Sequence, residues 1–269
     1  IMNFLHRKAS NMFTGIVLGP ASFALLAAAH KGELVVSQVT MSSINTMVVP
    51  SFSRVKEKDK LGSLYTKMVA VTAIIVLPIF MGLAAIADPF VTVAFGEKFA
   101  PSAEYMTISI FAMIPGVVAW FLPNLLIANG KTKDAFNLTL LNIVSSVIVA
   151  GATIWFGIKI MLISIVISAF VLLPIRLYIV RRHIAIDLVS LSKEVLPPVS
   201  ASLLMFMVLM ELKNYLNSFF PNDIFVLIGL VVAGGVLFPL IMLTLFNRYT
   251  LSYSSELKFM LSKDQKKVS

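Results

Sequence analysis

The sequence of 269 residues contains no cysteine, which excludes disulfide bonds and cysteine-ligated metal sites. It also contains little charge: 13% of its residues are charged, whereas a soluble globular domain carries about 25%. Hydrophobic residues make up 58% of the chain, and the mean hydropathy is +0.93. This composition excludes an ordinary soluble protein and predicts a polytopic membrane protein.

The short motifs of common enzyme sites are missing as well. The patterns H-E-x-x-H and G-x-S-x-G and the P-loop do not occur. The three histidines are scattered, and the close acidic pair Glu57 and Asp59 lies in a lysine-rich segment. We therefore predict that the chain is not an enzyme and that it holds no metal ion and no cofactor.

Eight apolar segments are predicted to cross a membrane as helices. The segment 68–87 shows the pattern best, because an uncharged run of this length matches the hydrocarbon thickness of a bilayer. The other seven segments are 1–18, 21–54, 105–128, 136–155, 160–180, 199–212 and 224–246. The expected fold is an all-α integral membrane protein with three parts: a six-helix transporter lobe (1–182), two additional transmembrane helices (183–246) and a basic cytoplasmic tail (247–269).

The lysines and arginines fall mainly on one side of these predicted helices. Sixteen of the 22 basic residues lie in the same set of loops: 1–8, 51–63, 129–134, 181–195 and the tail. By the positive-inside rule this side, with both ends of the chain, is cytoplasmic. Lys67 and Arg176 lie inside helices near it and are expected to snorkel towards it. The net charge of +9 is therefore a topology signal, and no nucleic-acid partner is predicted.

The helix predicted between Gly19-Pro20 and Pro50 carries polar groups into the membrane. Seven polar residues are expected on or beside one of its faces: Lys31, Glu33, Ser37, Gln38, Thr40, Ser42 and Asn45. Four apolar residues are expected on the opposite, lipid-facing side: Val35, Val36, Val39 and Met47. Lys31 lies roughly 15 Å from the start of the helix, and an ionisable group at such depth requires a partner or a water-filled cavity.

Short motifs follow one another in a fixed order in the first half of the chain: Arg7-Lys8-Ala9-Ser10-Asn11, Gly15 with Gly19, Ala29-His30-Lys31, Val49-Pro50-Ser51-Phe52-Ser53-Arg54, Phe95-Gly96-Glu97-Lys98-Phe99 and Ala128-Asn129-Gly130. In this order and spacing they resemble the polysaccharide-transport (Wzx-like) branch of the flippase superfamily that also contains the MATE exporters. The resemblance covers about residues 7–133. It departs from the branch at Lys8 and Ser10, where the branch has Asn and Asp, and at Phe99, where the branch has Trp.

The resemblance implies the C-terminal lobe of a larger transporter, with a central cavity between this lobe and a preceding one. In such a cavity Lys31 would bind the phosphates of a polyprenyl-pyrophosphate oligosaccharide by a charge-assisted contact. Gln38, Asn45 and Asn124 would bind its sugars, although interhelical hydrogen bonds explain such residues equally well. Glu33 is the candidate coupling site for H⁺ or Na⁺, and its alternative role is that of a structural partner for a cation on another helix.

The predicted function is the flipping of lipid-linked oligosaccharides or polysaccharide repeat units across the cytoplasmic membrane by alternating access. Gly19, Pro78 and Pro115 are expected to flex, and membrane lipids are expected partners. One alternative is a MATE-like antiporter of small molecules or cations, in which Glu33 rather than Lys31 contacts the substrate. A second is a membrane-embedded glycosyl- or acyltransferase, which requires acidic or histidine residues clustered near an interface that the sequence does not contain. A non-transporting scaffold is the third.

Overall fold

A computed structural model describes residues 2–53, 58–219, 223–247 and 249, and it describes side chains for 14–40, 61–218, 223–247 and 249. Within these residues the secondary structure is helical, without a strand. Ten α-helices lie in the described ranges: α1 (Met2–Ser53), α2 (Lys58–Ala85), α3 (Ala87–Phe95), α4 (Ser102–Ile110), α5 (Met113–Ala119), α6 (Leu122–Ala128), α7 (Thr132–Thr153), α8 (Ile158–Arg181), α9 (Leu188–Phe219) and α10 (Asp223–Leu245).

Six stretches of the described chain are long and apolar enough to cross a bilayer: 61–85, 102–128, 132–156, 158–181, 188–218 and 223–245. Helix α1 divides into two arms, because its backbone leaves the helical conformation at Gly19 (φ 86°, ψ 172°). Glycine adopts this conformation without the steric cost that other residues meet. The two arms correspond to the first two predicted crossings. The predicted all-α membrane fold with about eight crossings is confirmed, and the chain is a multi-pass membrane protein.

Helix α2 lies at the centre of the bundle. Four of its fully buried residues recur at helical spacing on one side, namely Tyr65, Val69, Val76 and Phe80. Helix α9 packs along α2, and α1, α4 and α5 pack against it as well. The Tyr65 hydroxyl donates a hydrogen bond to the Val118 carbonyl oxygen of α5 at 2.7 Å. This bond satisfies a polar group that is otherwise enclosed by apolar side chains.

The span 102–128 consists of three short helices rather than one, as its prolines predict. Helix α4 ends at Ile110, and α5 and α6 carry Pro115 and Pro123 in their first turns. A proline there removes no intrahelical hydrogen bond, since the first N–H groups of a helix have no partner within it. Helix α2, in contrast, continues through Pro78 to Ala85.

Helix α9 begins at Leu188, so the prediction of a helix starting at Val199 is wrong. The Asp187 carboxylate caps it, because Oδ1 accepts a hydrogen bond from the Val189 N–H at 3.0 Å. An aspartate in this position satisfies a backbone donor that the helix leaves without a partner. The cap therefore sets the start of α9, and the segment before the proline pair is helical rather than a connecting loop.

Pro197 and Pro198 lie inside α9 without ending it. A proline inside a helix cannot donate to the carbonyl group four residues earlier. For Pro198 that acceptor is the Glu194 carbonyl, and the Tyr249 hydroxyl donates to it instead at 2.8 Å. A contact from beyond α10 thus replaces one of the hydrogen bonds that the prolines remove.

A further boundary differs from the prediction. The predicted segments 68–87 and 105–128 leave 88–104 as a connecting loop, but the first part of this loop forms α3, which ends at Phe95. Asp88 in the first turn of α3 favours a helix there, because a carboxylate stabilises the positive end of the helix dipole. Helix α1 ends at Ser53, which agrees with the predicted segment 21–54 and not with an end at Pro50.

Arg176 is buried, with 7% of its surface exposed, so the prediction that it snorkels is wrong. Its Nη2 donates a hydrogen bond to the side-chain oxygen of Asn142 on α7, the neighbouring helix of the α7–α8 hairpin. This polar partner keeps the guanidinium inside the bundle, where burial without a partner would be costly. Lys67 on α2 is exposed.

Two ion pairs among the described residues each join segments that the predicted topology places at the same end of the bundle. At one end, His183 Nε2 lies 3.1 Å from Asp134 Oδ2. We call this the cation-rich end and define it by the turns 129–134 and 181–187. At the opposite end, Lys159 Nζ lies 2.6 Å from Glu104 Oε1.

The predicted division of the chain after residue 182 falls in the turn between α8 and α9. Helices α9 and α10 pack against α2, and α10 also packs against α3, so the segment 183–246 lies on the first six crossings. The division into a lobe and two additional helices stays a prediction. The segment 54–57 and most of the predicted tail lie outside the described residues.

We predict that Gly62→Ala destabilises the fold. A Cβ atom at Gly62 would lie 1.8 Å from the Ala185 carbonyl oxygen, so α2 and the turn 181–187 would have to separate. Overpacking of this kind typically costs about 1–3 kcal/mol. The measurement is the thermal unfolding midpoint of the purified protein in detergent. The matched control is Gly116→Ala, where nothing lies within 4 Å of the added Cβ; equal midpoints for the two variants would contradict the close approach.

Candidate substrate-binding face

The second arm of α1 carries the predicted site and packs against the end of the bundle opposite the cation-rich end. Gly32 fits closely there, because a Cβ atom on it would lie 2.9 Å from Met106 Sδ and 3.0 Å from Phe90 Cε1. Met106 is the fifth residue of α4, so this level lies about 6 Å inside the span 102–128 at 1.5 Å per residue. The neighbouring Lys31 is therefore about one helical turn inside the spanning part of the bundle, and the prediction that it lies roughly 15 Å deep is wrong.

Lys31 and Gln38 are exposed on the same face of α1. Leu34, Val35 and Val39 complete this face, with exposed fractions of 37%, 54% and 71%. The spacing i, i+3, i+4, i+7, i+8 is that of a single helix face. The prediction that Val35 and Val39 lie opposite Lys31 is therefore wrong, since both lie within about 80° of it at 100° per residue. We call these five residues the Lys31 face.

The other side of the same arm is buried in the bundle. Glu33 is 6% exposed and Ser37 is 9% exposed. At 100° per residue Glu33 lies about 200° from Lys31, so the two side chains leave the helix in opposite directions. The prediction that Glu33 and Ser37 lie beside the face of Lys31 is therefore wrong, because both side chains are buried on the other side of the helix. The structure thus places the basic group of the predicted site outward and the acidic group inward.

The remaining predicted sugar contacts are not brought together with Lys31. Asn124 is half-buried on α6, close to the cation-rich end. Asn124 lies roughly 25 Å from the level of Met106 along the span, at 1.5 Å per residue. Asn45 lies in α1 farther towards the cation-rich end, but its side chain is outside the described residues. Lys31 and Gln38 are therefore the two predicted contacts that the described structure places on one face.

A cavity of about 430 Å³ lies on the other side of α1. Its walls are apolar side chains and glycines of α2, α9 and α10, with Val36 of α1 at its edge. Val36 lies about 140° around the helix from Lys31, so the cavity and the Lys31 face are separate. The apolar lining suits a hydrocarbon chain and not a phosphate or a sugar. Among the described residues no three His, Asp or Glu side chains are grouped as a metal site requires.

An ion pair between α9 and α3 lies next to the site and was not predicted from the sequence. Lys213 Nζ of α9 lies 2.5 Å from Asp88 Oδ2 of α3. The Lys213 side chain is 10% exposed and the Asp88 side chain 63% exposed. The pair joins α9 to α3, whose Phe90 packs against Gly32 next to Lys31. A signal was available in the sequence, because Lys213 continues the helical spacing of the buried Met205 and Leu209.

Residues 1–104 match a protein family described as polysaccharide biosynthesis protein. A comparison with curated proteins found no match. Among solved structures, the fold is similar to that of the lipid II flippase MurJ in an inward closed conformation, with a TM-score of 0.70 and 16% sequence identity. The alignment covers 91% of this chain and 53% of the other, so the chain spans about half the length of that flippase.

The predicted resemblance to polysaccharide-transport flippases is confirmed by these two comparisons. The family match lies in the part of the chain where the sequence motifs occur. The structural match extends over the later helices as well, where the sequence offered only hydropathy and helix spacing. At this identity the structural match shows the fold and leaves the activity to be argued from the site.

We predict that Asp88→Asn destabilises the protein more than Lys213→Met does. The first change leaves a largely buried ammonium group without its charged partner, whereas the second removes the buried charge itself. Because Asp88 is mostly exposed, we expect a loss of about 1–2 kcal/mol for Asp88→Asn and less than half of that for Lys213→Met. Thermal unfolding in detergent measures both. The reverse order would mean that Lys213 acts through packing alone.

Proposed function

We propose that this chain forms one lobe of a transporter that moves lipid-linked oligosaccharides across the cytoplasmic membrane by alternating access. The observation that carries the proposal is the Lys31 face, which presents a lysine and a glutamine outward from a helix inside the spanning bundle. The similarity to a lipid flippase and to a polysaccharide biosynthesis family supports the same conclusion.

About one turn inside the span, the Lys31 ammonium group meets either water at the nearer membrane surface or water and an anion opposite it, because hydrocarbon cannot solvate an ammonium group. In the proposal a second lobe faces α1, and a water-filled cavity between the two lobes meets Lys31. Two facing lobes around a central site are a common plan of secondary transporters. The substrate class follows from the charge, since a polyprenyl-pyrophosphate head is an anion that an exposed cation binds by charge-assisted contacts.

The glycan would extend from Lys31 along the face of α1. Gln38 follows Lys31 at about 10 Å along the helix axis, and its amide can both donate to and accept from sugar hydroxyl groups. Asn45 and Asn124 lie still farther towards the cation-rich end. They are proposed to meet the distal sugars, while the lipid chain stays in the bilayer.

Glu33 has a different proposed role because of its burial. A cation antiporter would require this carboxylate to face the substrate pathway, but it points away from the Lys31 face into the bundle. We assign it to coupling by H⁺ or Na⁺, since a carboxylate enclosed in a helix bundle binds a small cation more readily than a large substrate. This orientation favours the flippase over the antiporter.

The proposed orientation places the cation-rich end and both chain ends in the cytoplasm. It follows from the distribution of the basic residues. Residues 1–182 are proposed as the transporter lobe and 183–246 as two helices added to it.

Introduced cysteines test the water-filled cavity, and the chain has no cysteine of its own to interfere. We predict that Lys31→Cys and Gln38→Cys react with a charged, membrane-impermeant thiol reagent in membranes. The matched control is Ile167→Cys on α8, whose site is 57% exposed on an apolar helix face. It is expected to stay unreactive because it contacts acyl chains. If Lys31→Cys were as unreactive as this control, the Lys31 face would lie against lipid.

Substitution of Lys31 tests the assignment of the phosphate contact. We predict that Lys31→Ala weakens binding of a polyprenyl-pyrophosphate glycan about tenfold to a hundredfold, the scale of a hydrogen bond to a charged group, and that Lys31→Arg retains most of it. Titration of the purified protein and glycan export in cells measure the effect. Glycan export that survives Lys31→Ala would contradict this contact, whereas drug efflux that is unaffected by Lys31→Ala and lost with Glu33→Gln would favour the antiporter.

A further inference from the structure

His183 makes two contacts that join the turns at the cation-rich end of the α7–α8 hairpin. Its carbonyl oxygen accepts a hydrogen bond from Asn129 Nδ2 at 3.5 Å. Its Nε2 lies 3.1 Å from Asp134 Oδ2. These two contacts fix the turn after α8 against the turn before α7, so the basic residues of both turns occupy one surface.

Four cations are exposed on this surface: Lys131, Lys133, Arg181 and Arg182. Asp134 lies in the same turns, and its carboxylate pairs with His183. Within the described part of the chain, no ion pair joins these four cations to a carboxylate. The other end of the same hairpin differs, because Lys159 is paired with Glu104. Asp187 also lies in the turns of the basic surface, where its carboxylate accepts a hydrogen bond from the Val189 N–H. The four cations therefore outnumber the two carboxylates of the turns, Asp134 and Asp187, and the surface is basic.

The exposed face of α8 changes in chemistry as it approaches this surface. Ile167, Val171 and Ile175 are exposed by 57%, 60% and 45% and follow one another at intervals of four residues. Tyr178 comes next on the same face, exposed by 61%. Arg182 ends the stripe and lies over the Tyr178 ring at 4.7 Å from its centroid.

We propose that this stripe and the four cations form a binding site for one anionic phospholipid. The apolar part of the stripe would contact an acyl chain, the Tyr178 hydroxyl would meet the glycerol region, and the cations would bind the phosphate. Aromatic residues with a polar tip favour this interfacial level of a membrane. The Arg182–Tyr178 contact holds one guanidinium in place before the lipid binds, which reduces the entropy lost on binding.

The site is expected to bind a lipid rather than a free anion, because the apolar stripe adds contact area that inorganic phosphate cannot use. The inference requires that the chain lies in a membrane and is independent of the proposed transport activity. Its failure would therefore leave the flippase proposal standing, and the reverse also holds.

Native mass spectrometry of the detergent-purified protein, titrated with phosphatidylglycerol, tests the proposal. We expect Arg181→Gln with Arg182→Gln, and separately Lys131→Gln with Lys133→Gln, to weaken binding about thirtyfold each. The matched control is Lys98→Gln with Lys159→Gln, which removes the same charge at the opposite end of the bundle and is expected to bind as the unmodified protein does. Arg181→Lys with Arg182→Lys keeps the charge and is expected to restore most of the affinity, which separates lost binding from lost folding.

Three results would overturn the proposal. Equal weakening by the control pair would show that only the net charge matters. Equal binding of phosphatidylcholine would show that the cations do not select the head group. Displacement of phosphatidylglycerol by inorganic phosphate at millimolar concentration would show a free-anion site instead of a lipid site.

Discussion

Hydrocarbon does not solvate charge, and this constraint decides where the ionisable residues of the bundle lie. Arg176 is buried because Asn142 accepts a hydrogen bond from it, and Lys213 is buried because Asp88 pairs with it. Glu33 is turned into the bundle. Lys31 differs from these three, since it is exposed at a level where the neighbouring helices already span the membrane. Its placement is the reason to look for water or an anionic ligand on that side of α1.

The fold class could be predicted because the low charge content and the length of the apolar segments show directly that the helices lie in a membrane. The helix boundaries were harder to predict. A proline removes a backbone hydrogen bond, and the sequence pattern does not show whether another residue replaces it. Pro197 and Pro198 suggested a helix start after them, whereas a cap at Asp187 and a hydroxyl from Tyr249 allow α9 to begin earlier. Both compensations come from residues outside the helical segment that the prolines were expected to open.

The site was predictable to the extent that it depends on one helix. Lys31 and Gln38 share a face because seven residues make nearly two full turns, and the structure exposes both. The direction of that face depends on α3 and α4, whose Phe90 and Met106 pack against Gly32. The geometry of one helix does not show which way that face points. The pairing of Lys213 with Asp88 of α3 likewise depends on packing between segments that are distant in the sequence.

The two basic features of the chain lie at opposite ends of the bundle, and this arrangement bears on the direction of transport. In the proposed orientation, a pyrophosphate head approaching from the cytoplasm first meets the cation-rich end. It then passes the levels of Asn124 and Gln38 before it reaches Lys31, about one turn from the opposite end. A cation at the far end of the path stabilises the head group late in the crossing. Lys31 would then favour the state in which the phosphates have already passed the middle of the membrane, and release would require another group or an opening to water to compete with it.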